Sequence, residues 1–293
     1  MHPRLTIAVP VHNEEKFIEQ TLKSAITALS DEVCLVVSEN ASSDRSREII
    51  KSICEGDNRI KLLLRDEKIP VIEHFRNLVQ QCETEYFMWL GGHDILFADY
   101  PNQAISKLDS DESISLIYPD CLQLNENGKT EYGSSKLEDD LDTSGLQKLD
   151  ALEKVANNTF SCFATYGIMR TKWAREIPFQ QVIGFDHLLI FHMAVCGHIR
   201  HLAVPGLGIR AERKESNEQR TARYIKEGII RSNERYSYER HAAKYFSYIS
   251  KSVRLSMNQK FSIIKRLIRV FRNKFEVKPK GLVRYYFHAL TGL

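Results

Sequence analysis

Four short runs constrain this chain more than anything else in it: Leu5 to Val11 (LTIAVPV), Glu32 to Val37 (EVCLVV), Ile60 to Leu64 (IKLLL) and Tyr86 to Leu90 (YFMWL). Each carries at most one charged residue. Leu5 to Val11 has no polar face, as in a sheet covered on both sides, the five bulky residues of Tyr86 to Leu90 read as a buried strand, and the other two runs read as strands beside them. Apolar residues at helical spacing fill the gaps: Ile18, Leu22, Ala25, Ile26 and Leu29, then Ile49, Ile50 and Ile53, then Phe75, Leu78 and Val79 after Pro70. A helix with Ile105 and Leu108 follows, then a fifth strand within Ile114 to Leu124, then the hairpin signal Asn127-Gly128. Strand and helix alternating in this way predict an α/β fold with a mostly parallel, doubly wound sheet.

In such a sheet ligands sit outside the carboxyl ends of the strands. Three polar clusters fall there: His12-Asn13, Ser38-Glu39-Asn40 and Gly91-Gly92-His93-Asp94. Neither a Gly-x-x-x-x-Gly-Lys loop nor a Gly-x-Gly-x-x-Gly fingerprint is present. A nucleotide still has partners: Glu39 or Asn40 for a base edge or ribose, His12 for stacking, and a cation at His93 and Asp94 to neutralise a diphosphate. The same residues have plainer readings. Asn13 is a good N-cap, with Glu14 and Glu15 in the first turn, and Ser43 or Asp44 caps the next helix. Ser38 to Asp44 reads as a loop, and Asp186, ahead of a helix, reads as an N-cap.

After Gly128 the rhythm loosens. Residues 131–145 read as an acidic loop, 146–156 as a helix, Phe160 to Met169 as a strand or two, and Thr171 to Glu176 as a short helix. Gly184-Phe185-Asp186-His187 opens another helix, which Gly197 ends, and Ile199 to Ile209 is extended. From Glu218 onward the chain reads as helical. Net charge is +3 overall, yet from Arg210 onward there are 21 basic and 7 acidic residues. Phe261, Ile264, Leu267, Ile268, Phe271 and Phe275 share one face and Lys265, Arg266, Arg269 and Arg272 the other, a basic amphipathic helix. Three uses for it remain open: packing on the body, contact with a membrane surface through residues 252–275, or a homo-oligomer contact. No nucleic-acid module accompanies the charge.

The six cysteines are scattered with no C-x-x-C pair, so reduced thiols and a cytoplasmic chain without a zinc site are expected. The start, MHPRLTIAVPVHNEE, has no signal-peptide pattern, and no apolar run is long enough to span a bilayer.

TIAVPVHNEEKFIEQTLKSA, SENASSDRS, the pair Arg76-Asn77, WLGGHD and GFDHLL stand in one order and at fitting distances. Together they resemble the inverting family 2 glycosyltransferases of the GT-A fold, over residues 4–216. The resemblance implies a Rossmann-like, nucleotide-diphospho-sugar transferase domain over 1–216. Residues 1–125 would form the donor-binding half and 126–216 the acceptor half, followed by a helical basic extension over 217–293. It implies that Pro10 and His12 line the base, that Glu39 and Asn40 meet the nucleoside, and that Arg76 lies near the diphosphate, with Asn13 a further candidate for binding the nucleotide-sugar. Gly91, Gly92, His93 and Asp94 then stand at the ribose and metal motif, with Asp186 as general base. Arg210 and Arg213 are further candidates for holding the diphosphate. The chain departs from the family where that motif often reads L-D-S-D-D: Gly91 replaces one aspartate and His93 another. Histidine ligates Mn²⁺ well and Mg²⁺ poorly, so the expected cofactor is a divalent metal, Mn²⁺ ahead of Mg²⁺. The implied reaction moves a sugar, with inversion, from a UDP-sugar or similar donor to a glycan or lipid-linked saccharide. The implied setting is bacterial surface polysaccharide synthesis, on the inner face of the plasma membrane. A catalytically inactive nucleotide-sugar-binding or assembly subunit is the alternative.

Overall fold

In the computed structural model, which describes residues 2–125, 127–130, 137–179, 184–210, 217–226 and 238–275, the four runs are strands, and the one over Ile60–Arg65, at the sheet edge, is only partly covered. The chain passes in order through β1 (Leu5–Val11), α1 (Ile18–Thr27), β2 (Val33–Asn40), α2 (Ser46–Cys54), β3 (Ile60–Arg65) and α3 (Val71–Gln80). Then come β4 (Tyr86–Trp89), β5 (Ile95–Leu96), α4 (Asp99–Ser110), β6 (Ile114–Gln123), α5 (Lys148–Asn158), β7 (Ile168–Arg170) and α6 (Thr171–Ala174). It continues through α7 (Phe185–Cys196), β8 (His198–Ile209), α8 (Asn217–Lys226), α9 (Tyr238–Lys251) and α10 (Met257–Phe275). One sheet holds all eight strands in the order β3-β2-β1-β4-β7-β6-β8-β5. β3, β2, β1 and β4 run parallel, as do β6 and β8, while β7 and β5 are antiparallel to their neighbours.

The two-sided burial is visible along β1. Ile7 and Val9 enter an apolar layer with Leu22 and Leu35, and Ala8 enters the opposite layer with Phe87, Trp89 and Leu188. That second layer also takes in Ala242, Tyr245, Phe246 and Ile249 of α9 and Ile263, Ile264, Leu267 and Phe271 of α10. The apolar stripe of the basic helix is therefore spent on the body, at roughly 1.5–3 kcal/mol per large side chain buried. Of the three uses left open, packing on the body is the one that takes this apolar face. Phe275's side chain and residues 276–293 lie outside the described residues. On the polar side Arg266 bridges Asp150 (2.6 Å) and Glu153 (3.0 Å) of α5, so part of the basic tail neutralises the acidic body.

Four local expectations are corrected. Asn13 is not an N-cap. It sits at φ 58°, and α1 begins four residues later than the sequence suggests, with Phe17 at the cap. Ser38 to Asn40 is strand rather than loop, because β3 continues alongside and pairs Ser38 with Leu63 and Asn40 with Arg65. Phe160 to Met169 is mainly a 3-10 helix over Phe163–Tyr166 with the short β7 behind it. Asp44 does bond the Ser46 amide (2.9 Å), but from outside the formal cap, which is Arg45.

Candidate active site

β1, β2, β4, β6 and β8 all point the same way, so their carboxyl ends share one rim. His12 and Arg210 directly follow β1 and β8, Asn40 is the last residue of β2, and Gly91 to Asp94 lie just past β4. The course of the chain directs Asp186 toward that rim by a different route. α7 ends at Cys196 and runs through Gly197 into β8, whose first residue lies at the opposite edge. A twelve-residue helix is about 18 Å long, so its first turn, with Asp186, lies back toward the strand ends.

The first two strand-end loops are zipped together. Three successive amides, of Asn13, Glu14 and Glu15, donate to Ser42 Oγ (3.0 Å), Ser46 Oγ (2.7 Å) and Asp44 Oδ2 (3.1 Å). Asn13 Oδ1 accepts the Ser43 amide in return (2.8 Å). This satisfies the turn without a helix, and it is why the capping pattern of Asn13 misleads. Pro10 and His12 are half-buried at the end of β1. His12 Nδ1 lies 3.0 Å from the Asn40 carbonyl. Burial and the nearby charge of Lys68 lower its pKa, so the ring is neutral at pH 7.

Glu39 and Asn40 shape loops in this structure. Glu39 has no exposed surface, and its two oxygens accept from the Ser42 amide (2.5 Å) and Arg47 Nε (2.6 Å). Asn40 clamps both backbone groups of Ile69, accepting from its N–H at 3.0 Å and donating to its carbonyl at 2.9 Å. Arg76 is exposed on α3 and, among the described residues, has no hydrogen-bond or ion-pair partner. Arg213 lies outside the described residues.

At the end of β4, Gly91, Gly92 and Asp94 are buried and His93 is half-buried. Thr21 Oγ donates to the Gly92 carbonyl (3.1 Å). Asp94 Oδ1 accepts the Arg210 amide at 3.1 Å, and the Arg210 guanidinium donates to the His93 carbonyl and Gln20 Oε1 while covering the Phe17 ring. Burial pushes the Asp94 carboxyl up, and the nearby His93 and Arg210 offset only part of that push. A buried carboxylate in this state is stabilised by a cation. The bare glycine lets two donors approach one point: a Cβ on Gly91 would stand 2.5 Å from Asp94 Oδ2 and 3.8 Å from His93 Nε2. Both donors thus border a single small space, and their chemistry, one imidazole and one carboxylate, fits a divalent transition metal.

Glu14 belongs to this turn and was not singled out from the sequence. Its Oε1 lies 3.0 Å from His93 Nδ1. The only cue lay in the glycines opposite it, whose missing side chains make space.

Asp186 is exposed in the first turn of α7, yet protein crowds it, and burial pushes its carboxyl up to about 6. Its solvent-facing side stays hydrated, which limits the rise, so about 6 is the upper end. Gly184 precedes it at φ 76°, and a Cβ there would stand 2.5 Å from the His241 ring of α9. The segment 137–142 runs between the two ends of the rim. Cys121, on β6, feels the charges of Asp94 and Asp139, and Cys162 feels those of Asp139 and Asp186. Asp139 is fixed there by the amides of Phe160 (2.8 Å) and Ser161 (3.0 Å).

Two other groups of described residues bring three potential metal ligands within 4.8 Å of one another, Glu176-His192-Cys196 and Asp120-Glu138-His201. In the first, both His192 nitrogens are engaged, by Tyr248 and the Trp173 carbonyl, and Glu176 is paired with Arg254. In the second, His201 Nε2 is already 2.8 Å from Asp120.

Comparisons with known proteins bear on the family and the fold. The family model for glycosyl transferase family 2 matches residues 6–177, more than half of the chain. A curated relative from Campylobacter jejuni, the GalNAc(5)-diNAcBac-PP-undecaprenol beta-1,3-glucosyltransferase, is 26% identical over 164 residues. The match takes in 55% of this chain and 52% of the relative, so the chain spans about half that protein's length. Among solved structures, S. aureus TarS 1-349 in complex with UDP-GlcNAc superposes with a TM-score of 0.64 at 15% identity, over 98% of this chain and 81% of that one. The mannosyltransferase PcManGT of Pyrobaculum calidifontis, in complex with GDP-Man and Mn²⁺, superposes at 0.57 and 14% identity, over 100% and 75%. These two share the fold.

Proposed function

The chain belongs to glycosyl transferase family 2, and from that premise we propose that it moves one sugar from a nucleotide-diphospho-sugar to an acceptor hydroxyl with inversion at the anomeric carbon. What supports this reading is the rim of parallel strand ends, which carries a neutral His12 and the Gly91–Asp94 turn, together with a carboxylate of raised pKa in the first turn of α7. Pro10, His12 and Asn13 line the base. Glu39 and Asn40 act indirectly, holding the loops around the nucleoside. Arg210, Arg213 and Arg76 hold the diphosphate.

Asp186 accepts the proton of the acceptor hydroxyl as that oxygen bonds to the anomeric carbon. The bond from that carbon to the diphosphate oxygen breaks in the same displacement, and the nucleoside diphosphate leaves with the electron pair. A pKa near 6 suits this task, because the group is ionised at neutral pH and still basic enough to take a proton. His93 and Asp94 would hold the divalent ion, Mn²⁺ ahead of Mg²⁺, which supplies positive charge against the departing diphosphate.

UDP-sugars are the first donors to test, and the UDP-GlcNAc bound by TarS supports that choice. The undecaprenol diphosphate in the C. jejuni relative's name supports a lipid-linked glycan acceptor and bacterial surface polysaccharide synthesis. Among the described residues no helix is long and apolar enough to cross a membrane. Lys251, Lys265, Arg269 and Arg272 are exposed on α9 and α10, and no acidic residue falls between 240 and 275. That surface supports peripheral contact with anionic lipid by charge, on the cytoplasmic face. We keep the division into a transferase domain over 1–216 and an extension over 217–293, with the two sharing one core.

Incubating the chain with UDP-, GDP- and dTDP-sugars, Mn²⁺ and lipid-linked acceptors, and measuring nucleoside diphosphate release, tests the reading. Acceptor-dependent release is expected with one donor class. Donor binding without release on any acceptor would instead make the chain a binding subunit.

A further inference from the structure

The motif WLGGHD has Gly91 and His93 where the resembled family often has aspartates, and the structure shows what stands around its two glycines. A Cβ on Gly91 would meet Asp94 Oδ2 at 2.5 Å, and a Cβ on Gly92 would meet Glu14 Cγ at 3.1 Å. Each glycine therefore admits a carboxylate side chain that starts elsewhere in the sequence. Asp94 folds back over Gly91, and Glu14 reaches across Gly92 from the turn after β1. The zipped loop holds Glu14 there through its own amide, which donates to Ser46 Oγ at 2.7 Å.

The contact Glu14 makes is directional. A carboxylate can only accept, so with Glu14 Oε1 at 3.0 Å the hydrogen of a neutral His93 ring sits on Nδ1. The lone pair then sits on Nε2, the nitrogen that borders the space over Gly91 together with Asp94 Oδ2. A carboxylate behind a ligating imidazole fixes the tautomer and ring orientation and makes the ligand more basic.

We propose that Glu14 is the positioning residue of a divalent-cation site at His93 and Asp94, in which a carboxylate–histidine pair takes over from the acids the turn has lost. The proposal rests on the metal reading above and deepens it. It also accounts for the direction of metal choice. An imidazole made more basic by Glu14 favours Mn²⁺, whereas Mg²⁺ keeps oxygen ligands and water.

Binding of Mn²⁺ to the full chain, followed by the electron paramagnetic resonance of free Mn²⁺ with and without UDP, tests this apart from activity. Glu14→Leu, close in size but without an acceptor, is expected to weaken Mn²⁺ binding by about 10- to 100-fold. Glu14→Gln keeps an acceptor and should lose only a few-fold. His93→Ala should lose as much as Glu14→Leu, and the double variant no more than either alone. Mg²⁺ competition should change little in Glu14→Leu, and its metal-free melting curve should match wild type within a few degrees. Wild-type affinity in Glu14→Leu, or losses that multiply in the double variant, would overturn the proposal and leave the transferase reading intact. Absence of Mn²⁺ binding to wild type would also overturn it. Diphosphate release measured in EDTA then decides separately whether the chain transfers sugar at all.

Discussion

The two ends of the rim are built on different plans. Around Gly91 to Asp94 the turn is tied by polar contacts from several elements: Thr21 on its carbonyl, Glu14 on its imidazole, and Arg210 on both a carboxylate and a carbonyl. Around Asp186 the described contacts are mainly those of packing. The helix start rests on Gly184 at φ 76°, backed by His241 of α9, whose ring also meets His187 edge-on at 5.1 Å. The proposed donor side is thus tied by hydrogen bonds, largely within the first hundred residues. The carboxylate opposite it depends on a helix more than fifty residues further on. Binding and chemistry should therefore fail separately when either end is disturbed.

The largest effect should come from Asp186→Asn. General-base removal costs about 10²–10⁴-fold in kcat, while donor affinity by calorimetry should stay within about twofold. A parallel loss of donor affinity would show that the two ends are not separate. Next comes Arg210→Ala, which leaves the backbone bond to Asp94 but removes the guanidinium from the His93 carbonyl and Gln20. Charge-assisted hydrogen bonds are worth about 1.5–3 kcal/mol, so donor KM should rise by about 10- to 100-fold with a smaller change in kcat.

The pH profile separates the ends further. Asp186 must be ionised to accept a proton, so kcat/KM should fall about tenfold per pH unit below its pKa, with the acid limb at or below about 6. Asp186→Asn should retain only a flat residual rate. The stability term runs the other way. The folded carboxyl holds its proton to higher pH than the unfolded chain does, so its contribution is present below about 4 and is lost as pH rises through 6. His12, whose pKa is lowered, should add nothing to the profile near neutrality.

Much of this was legible in the sequence for one physical reason. Strands buried on both faces carry no polar alternation, so LTIAVPV and YFMWL announce a covered parallel sheet, and the residues just after them fall on its rim. What escaped needed a partner distant in sequence. Asn13 looks like a cap until residues 42–46 take its backbone. Ser38 to Asn40 looks like a loop until β3 extends beside it. Glu14 stands in plain view in HNEE, but its target lies 79 residues on, and only the paired glycines mark the meeting place. The apolar stripe of α10 was readable and what covers it was not, because a helix shows its face and not its neighbour.

The smallest effect gives the finest test of the contrast. Gly184 sits in the left-handed region, where an L-residue costs roughly 1–2 kcal/mol, and its missing Cβ is the space His241 fills at 2.5 Å. Gly184→Ala should therefore both strain the turn and push the α9 ring away, shifting Asp186 without touching the donor side. Since misplacement of a reacting group is felt steeply, kcat should fall several-fold with donor KM unchanged. Adding His241→Ala removes the clash but not the backbone strain, so the double variant should recover part of the loss and not all of it. Full recovery would make the ring contact the sole constraint on the base. No recovery would place the constraint in the backbone alone, and a matching rise in donor KM would erase the distinction between the two ends of the rim.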